Sequence, residues 1–220
     1  MEPRQRKRRS IRLKGFDHGE PGYYFVTICT QDRKPLFGVI KNGAMLLNVF
    51  GKIVDRQWQN IENLFKNVSL GAYVIMPNHI HGIIQIQDSP VGATLAVAPD
   101  QETSVGATLA VAQNRRATVK VAPTNALLAT NKPPVLGDMV GAFKSLCIYD
   151  YLEQGLPKQS GRTWQRNYYE HIVRDDRSLA NIHDYILDNP ANWASDPENL
   201  MISIPKNQQN HQYEGLFRHR

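Results

Sequence analysis

Residues 68 to 87 constrain the fold more than any other part of the chain. Val68 to Met76 and His79 to Gln87 are two strand-length stretches rich in apolar residues, and the pair Pro77-Asn78 between them is a turn former. They predict a β-hairpin, and with it an antiparallel sheet. Alternation along the second stretch puts His79 and His81 on one face and Ile80, Gly82 and Ile84 on the other.

The flanking segments supply further elements. Tyr23 to Thr30, after the Pro21-Gly22 turn signal, is a β-branched and aromatic run of strand length. From Asn48 to Phe65, the residues Val49, Phe50, Ile53, Val54, Trp58, Ile61, Leu64 and Phe65 recur at three- and four-residue spacing. That spacing predicts a helix with one apolar face and Asn48 as its N-cap. A second helix is expected from Met139 to Leu152, stopped by Gly155. Trp164 to Arg174 and Leu179 to Leu187 read as two more helical pieces, broken at Asp175-Asp176 and ended by Asn189-Pro190.

Between these elements, residues 89–135 are of a different kind. Val91 to Ala98 recurs word for word as Val105 to Ala112, and Ala117 to Ala122 echoes it. So few large side chains leave little to bury, and the segment reads as an insertion tolerated in a surface loop. The expected organisation is a basic arm over 1–20, one domain over 21–195 interrupted by the insertion, and a polar tail over 196–220. A chain of 220 residues with 41% hydrophobic content has enough material for one real core.

Charge narrows the partner. The net charge is +6, and the residues Arg6, Lys7, Arg8, Arg9, Arg12 and Lys14 crowd into the first 15 positions. Lysines and arginines gain affinity by displacing counterions from phosphates, so an acidic polymer suits this chain better than a neutral metabolite. Cys29 and Cys147 fall in different predicted elements, which indicates neither a disulfide framework nor a cysteine zinc site. No apolar run has signal-peptide or bilayer-spanning length. A cytoplasmic location without membrane contact is the expectation.

Two constellations carry chemistry. His79 and His81, at i and i+2 on one strand, can converge on a divalent ion, although two histidines this close also occur as ordinary core or surface residues. In Trp164 to Arg174, a helical reading sets Tyr168 and His171 one above the other at i and i+3, with Tyr169 pointing elsewhere. That spacing delivers a nucleophile and a third metal ligand together, or else simply packs aromatic rings in a core. A tyrosine hydroxyl titrates near pH 10, so a nucleophilic role needs a neighbouring metal. Tyr168 is the preferred nucleophile, with Tyr169 as the alternative.

The ordered series Arg8 to Gly15, Tyr24 to Thr30, Met76-Pro-Asn-His-Ile-His-Gly82, Phe143-Lys-Ser145, Trp164 to Arg174 and Tyr185-Ile-Leu-Asp-Asn-Pro190 resembles the motifs of the REP-associated tyrosine transposases. These are single-tyrosine members of the HUH nuclease superfamily. The resemblance implies an α+β, ferredoxin-like antiparallel sheet with helices on one face and a C-terminal catalytic helix. It implies Mg²⁺ or Mn²⁺ held by His79 and His81, with His171 completing the coordination. The implied reaction cleaves and rejoins single-stranded DNA at palindromic hairpins through a 5′-phosphotyrosine. Lys144 and Arg166 join the arm as expected phosphate contacts. Relatives of the broader family often work as dimers, so a homodimer is among the implied partners. The alternative function is a catalytically silent protein that binds repeated hairpins.

Overall fold

The computed structural model describes residues 19–88, 134–158 and 161–199; the basic arm Arg6 to Lys14 and the repeat segment lie outside them. A four-stranded antiparallel sheet in the order β4-β5-β1-β6 forms the centre. Its strands are β1 (Gly22–Cys29), β4 (Val68–Ile75), β5 (His79–Ile86) and β6 (Tyr169–Val173). A separate hairpin, β2 (Gly38–Lys41) and β3 (Ala44–Leu47), precedes helix α1 (Val49–Gln59) and the short α2 (Ile61–Leu64). Helix α3 (Leu136–Glu153) leads to β6, and α4 (Asp176–Asp188) follows it. With β2-β3 set aside as an addition, the order β1-α1-β4-β5-α3-β6 is the ferredoxin-like βαββαβ pattern.

Local chemistry explains the boundaries. Asn48 caps α1 by accepting from Gly51 N at 2.9 Å, and Asp175 caps α4 by accepting from Ser178 N at 2.8 Å. Gly155 takes φ +68° beyond α3, where a side chain would be strained. Phe50, Ile53, Val54 and Trp58 of α1, with Met139, Val140 and Phe143 of α3, cover the sheet face made by Tyr24, Val26, Ile28, Ile80 and Ile84. This is the larger core, and α1 and α3 share the face as expected. The opposite face has a smaller core in which Ile182 and Ile186 of α4 meet Phe25, Ile83 and Val173. The sheet therefore carries helices on both sides and, among the described residues, α4 covers the side toward which His79 and His81 point.

The helix expected over Trp164 to Arg174 is instead a coil followed by β6. Tyr-Tyr-Glu-His-Ile-Val is an aromatic and β-branched run that suits a pleated surface, and it pairs with the open edge of β1 from Tyr23↔Val173 to Thr27↔Tyr169. That pairing satisfies backbone groups that an isolated β1 edge would leave bare. The start of the polar tail is packed: Asp196, Glu198 and Asn199 are buried.

Candidate active site

Alternation along β5 decides what its two histidines can meet. Ile80, Ile84 and Ile86 anchor the strand in the larger core. Gly82 lies under Trp58 so closely that a Cβ there would fall 2.3 Å from the indole ring. His79 and His81 are fully buried on the other face, with ring centroids 4.3 Å apart. Burial holds His79 well below the usual histidine range, aided by His81 and Arg33, and pushes His81 down to about 3. Both rings are thus neutral at pH 7 and have lone pairs to offer.

Neighbours determine where the lone pair of His79 points. The Asn78 Nδ2 donates to the carbonyls of Arg33 and Glu198, at 3.0 and 2.8 Å, which identifies the other end of the amide as the acceptor. That oxygen lies 2.8 Å from His79 Nδ1, so Nδ1 carries the proton and Nε2 the lone pair. On His81, Nδ1 lies 2.9 Å from Thr27 Oγ1 and Nε2 lies 3.2 Å from the hydroxyl of Tyr185.

The remaining wall comes from α4 and the turn behind it. Asp196 Oδ2 faces His79 Nε2 at 3.7 Å. With His79 neutral this is no ion pair but an approach of two acceptors. Neither atom has a hydrogen-bond partner, and neither does the buried Asn189 Oδ1. Buried acceptors without donors are costly unless a cation gathers them. Ligand atoms of His79, His81 and Asp196 all lie within 4.8 Å of one another. This donor set fits a divalent metal, and the unpartnered acceptors are the sign of it. Burial, offset in part by the backbone hydrogen bond from Glu198 N, brings the Asp196 carboxyl up to about 6. Burial and then Asp196 raise the hydroxyl of Tyr185 above the ordinary tyrosine range, while a hydrogen bond with Asn189 opposes the rise.

The expected site residues separate across the sheet. His79 and His81 meet as anticipated. In β6 the period is two and not 3.6, so Tyr169 and His171 share the histidine face while Tyr168 turns to the opposite one. There Tyr168 packs against the larger core, with Lys144 Nζ 5.9 Å from its ring centroid. Tyr169 packs edge-on to Phe25 at 6.3 Å. His171 pairs across from Phe25 and lies outside the His79, His81 and Asp196 group. Burial and Arg174 lower it to about 4. Lys144 donates to the carbonyls of Gln165 and Asn167 at 3.0 and 3.3 Å, which commits it to holding the coil before β6. Arg166 is exposed.

Tyr185, Asn189 and Asp196 escaped the sequence reading. Tyr185 and Asn189 stand at i and i+4 across the end of α4, a spacing that brings both to one helix face. That signal was available in Tyr185-Ile-Leu-Asp-Asn-Pro190. Nothing local marked Asp196.

No family model matches the chain. An uncharacterised protein of Haemophilus influenzae is 36% identical over 189 residues, spanning 86% of this chain and 91% of its own length. A second protein of that organism, provisionally named a REP-associated tyrosine transposase, is 26% identical over 175 residues, or 79% of this chain and 73% of its own. The chain belongs to one family with the first of these proteins and is similar to the second. Two solved structures also align with it. One, a REP-associated tyrosine transposase bound to a REP hairpin, gives a TM-score of 0.48 at 13% identity over 84% of this chain and 74% of that one. The other, a transposase assigned provisionally in Deinococcus radiodurans, gives 0.37 at 13% identity over 80% of this chain and 95% of that one. Among the described residues, no helix is long and apolar enough to cross a membrane.

Proposed function

We propose that this protein cleaves and rejoins single-stranded DNA, with Tyr185 as the nucleophile. His79, His81, Asp196 and Asn189 would hold a divalent metal. The observation that carries the reading is the hydroxyl of Tyr185 at 3.2 Å from His81 Nε2, at a buried site whose acceptors lack donors. Tyr168 packs on the other face of the sheet, which favours Tyr185 over it.

The ion, when bound, supplies positive charge that stabilises the phenolate and the developing charge on the scissile phosphate. Mn²⁺ suits two imidazoles with two oxygens better than Mg²⁺, which favours oxygen ligands and retained water. Thr27 and Asn78 orient the two rings from behind. Asn189 stands one turn beyond Tyr185 on the same face of α4, beside the ligands. The Tyr185 oxygen forms a bond to phosphorus as the bond from phosphorus to the 3′ oxygen breaks. The phenol gives up one proton and the 3′ oxygen gains one. Because a phosphodiester is exchanged and not hydrolysed, a 3′-OH can reverse the step and reseal the strand.

The substrate follows from the family and from the charge. The basic arm suits a phosphate backbone, and hairpins are the DNA that the family resemblance implies. Incubation of the full chain with a hairpin-bearing single strand and Mn²⁺ is expected to give an SDS-stable protein-DNA adduct. Tight hairpin binding with no adduct on any such substrate would point instead to a silent DNA-binding protein.

A further inference from the structure

Asn78, in the turn before β5, does more than orient one ring. It is 2% exposed, and its side chain makes three hydrogen bonds that join three separate segments. Oδ1 accepts from His79 Nδ1. Nδ2 donates to the carbonyl of Arg33, in the turn after β1, and to the carbonyl of Glu198, in the segment Trp193 to Asn199 that brings Asp196 to the site. The Asn78 carbonyl in turn accepts from Thr30 N and Thr30 Oγ1 at 2.8 and 3.0 Å, so the backbone under this amide is itself held. The Glu198 carboxylate pairs with Arg33 and accepts from Cys29 Sγ at 3.5 Å, which ties the same segment to β1.

We propose that Asn78 is a positioning residue for the metal site, acting at both His79 and Asp196. Through Oδ1 it makes Nε2 the ligand atom of His79, and through Nδ2 it latches the Trp193 to Asn199 segment so that Asp196 Oδ2 faces that atom. A carboxamide is the group that does both, because it offers an acceptor at one end and two donor hydrogens at the other. Aspartate has no donor for the two carbonyls. Alanine has neither function. The claim rests on the metal site proposed above.

The test uses the full chain with ¹⁵N-labelled histidine and the substitutions Asn78→Asp and Asn78→Ala, with circular dichroism to verify folding. In the wild type, nitrogen chemical shifts without metal should report His79 protonated at Nδ1. Asn78→Asp should keep Nδ1 protonated, whereas Asn78→Ala should release it to a mixture of tautomers. Mn²⁺ affinity should fall by about 10- to 100-fold in both, the range seen when an outer partner of a metal ligand is lost. Asn78→Asp combined with Asp196→Asn should lose little beyond Asp196→Asn alone, because the aspartate variant acts through Asp196.

An Asn78→Ala protein with His79 still protonated at Nδ1, an Asn78→Asp protein with wild-type Mn²⁺ affinity, or full additivity in the double variant would overturn the proposal. If Asn78→Ala does not fold, the aspartate variant and the double variant decide the matter. A wild type that binds no Mn²⁺ while His79 holds the expected tautomer would sink the metal site itself, and the positioning claim with it.

Discussion

Replacing Tyr185 with phenylalanine separates chemistry from structure. The substitution removes one oxygen from a mostly buried side chain whose ring packs against Phe25 and His81, with centroids 6.3 and 5.2 Å away, and leaves the ring in place. The stability lost is that of the hydrogen bonding around one hydroxyl, about 1 kcal/mol, which for a chain of this length lowers Tm by roughly 2–4 °C. Activity should fall far more. With no nucleophile the covalent route is closed, and a loss on the order of 10³-fold or more corresponds to at least about 4 kcal/mol of transition-state stabilisation. The assay is adduct formation with a labelled hairpin-bearing single strand and Mn²⁺, resolved on denaturing gels beside a thermal melt of the same protein. Tyr168→Phe and Tyr169→Phe are expected to keep the adduct. A Tyr185→Phe protein that still forms it, or its disappearance from either of the other two variants with folding intact, would refute the assignment.

Other expectations follow from the same geometry. Asp196→Asn should raise Tm without metal, because an amide can donate to His79 Nε2 where two acceptors now face each other at 3.7 Å, and it should reduce, without abolishing, the gain in Tm that Mn²⁺ gives the wild type. His171→Gln should leave Mn²⁺ affinity unchanged by isothermal titration, since that ring lies outside the ligand group. The same variant should flatten the acid limb of stability. His171 is held at about 4 in the folded chain, so between pH 6.5 and 4 the unfolded chain takes up a proton that the folded one refuses, and stability is lost as pH falls through that window. Urea titration of wild type and variant across that range measures the difference in slope. Gly82→Ala should destabilise by about 1–3 kcal/mol in urea, because its Cβ would lie 2.3 Å from a Trp58 ring already wedged against Phe143 and Tyr73.

The elements whose periodicity is strong were legible in the chain itself. The hairpin of β4 and β5, the strand β1 and the helices α1 and α3 all stand where apolar spacing and turn chemistry put them. So does the shared face of His79 and His81, because side-chain alternation in a strand is local geometry. The short hairpin of β2 and β3 passed unread. Its strands have only four residues each, too few for a pattern to emerge.

The choice of tyrosine was not local. Over six residues, Tyr-Tyr-Glu-His-Ile-Val accommodates a helix or a strand, and it becomes a strand because β1 has an edge to satisfy. That one decision changes the period from 3.6 to two and sends Tyr168 to the face opposite the two histidines. It leaves the histidine face to α4, whose Tyr185 lies 104 residues beyond His81. Asp196 is more remote still from any sequence signal. Its role depends on a turn returning to Asn78 and Arg33, and hydrogen bonds between distant segments leave no periodic trace. The sequence alone determined which strand presents two histidines together, because that is covalent geometry; the fold determined which tyrosine and which carboxylate face them, because that depends on how sheet edges and buried polar groups find their partners.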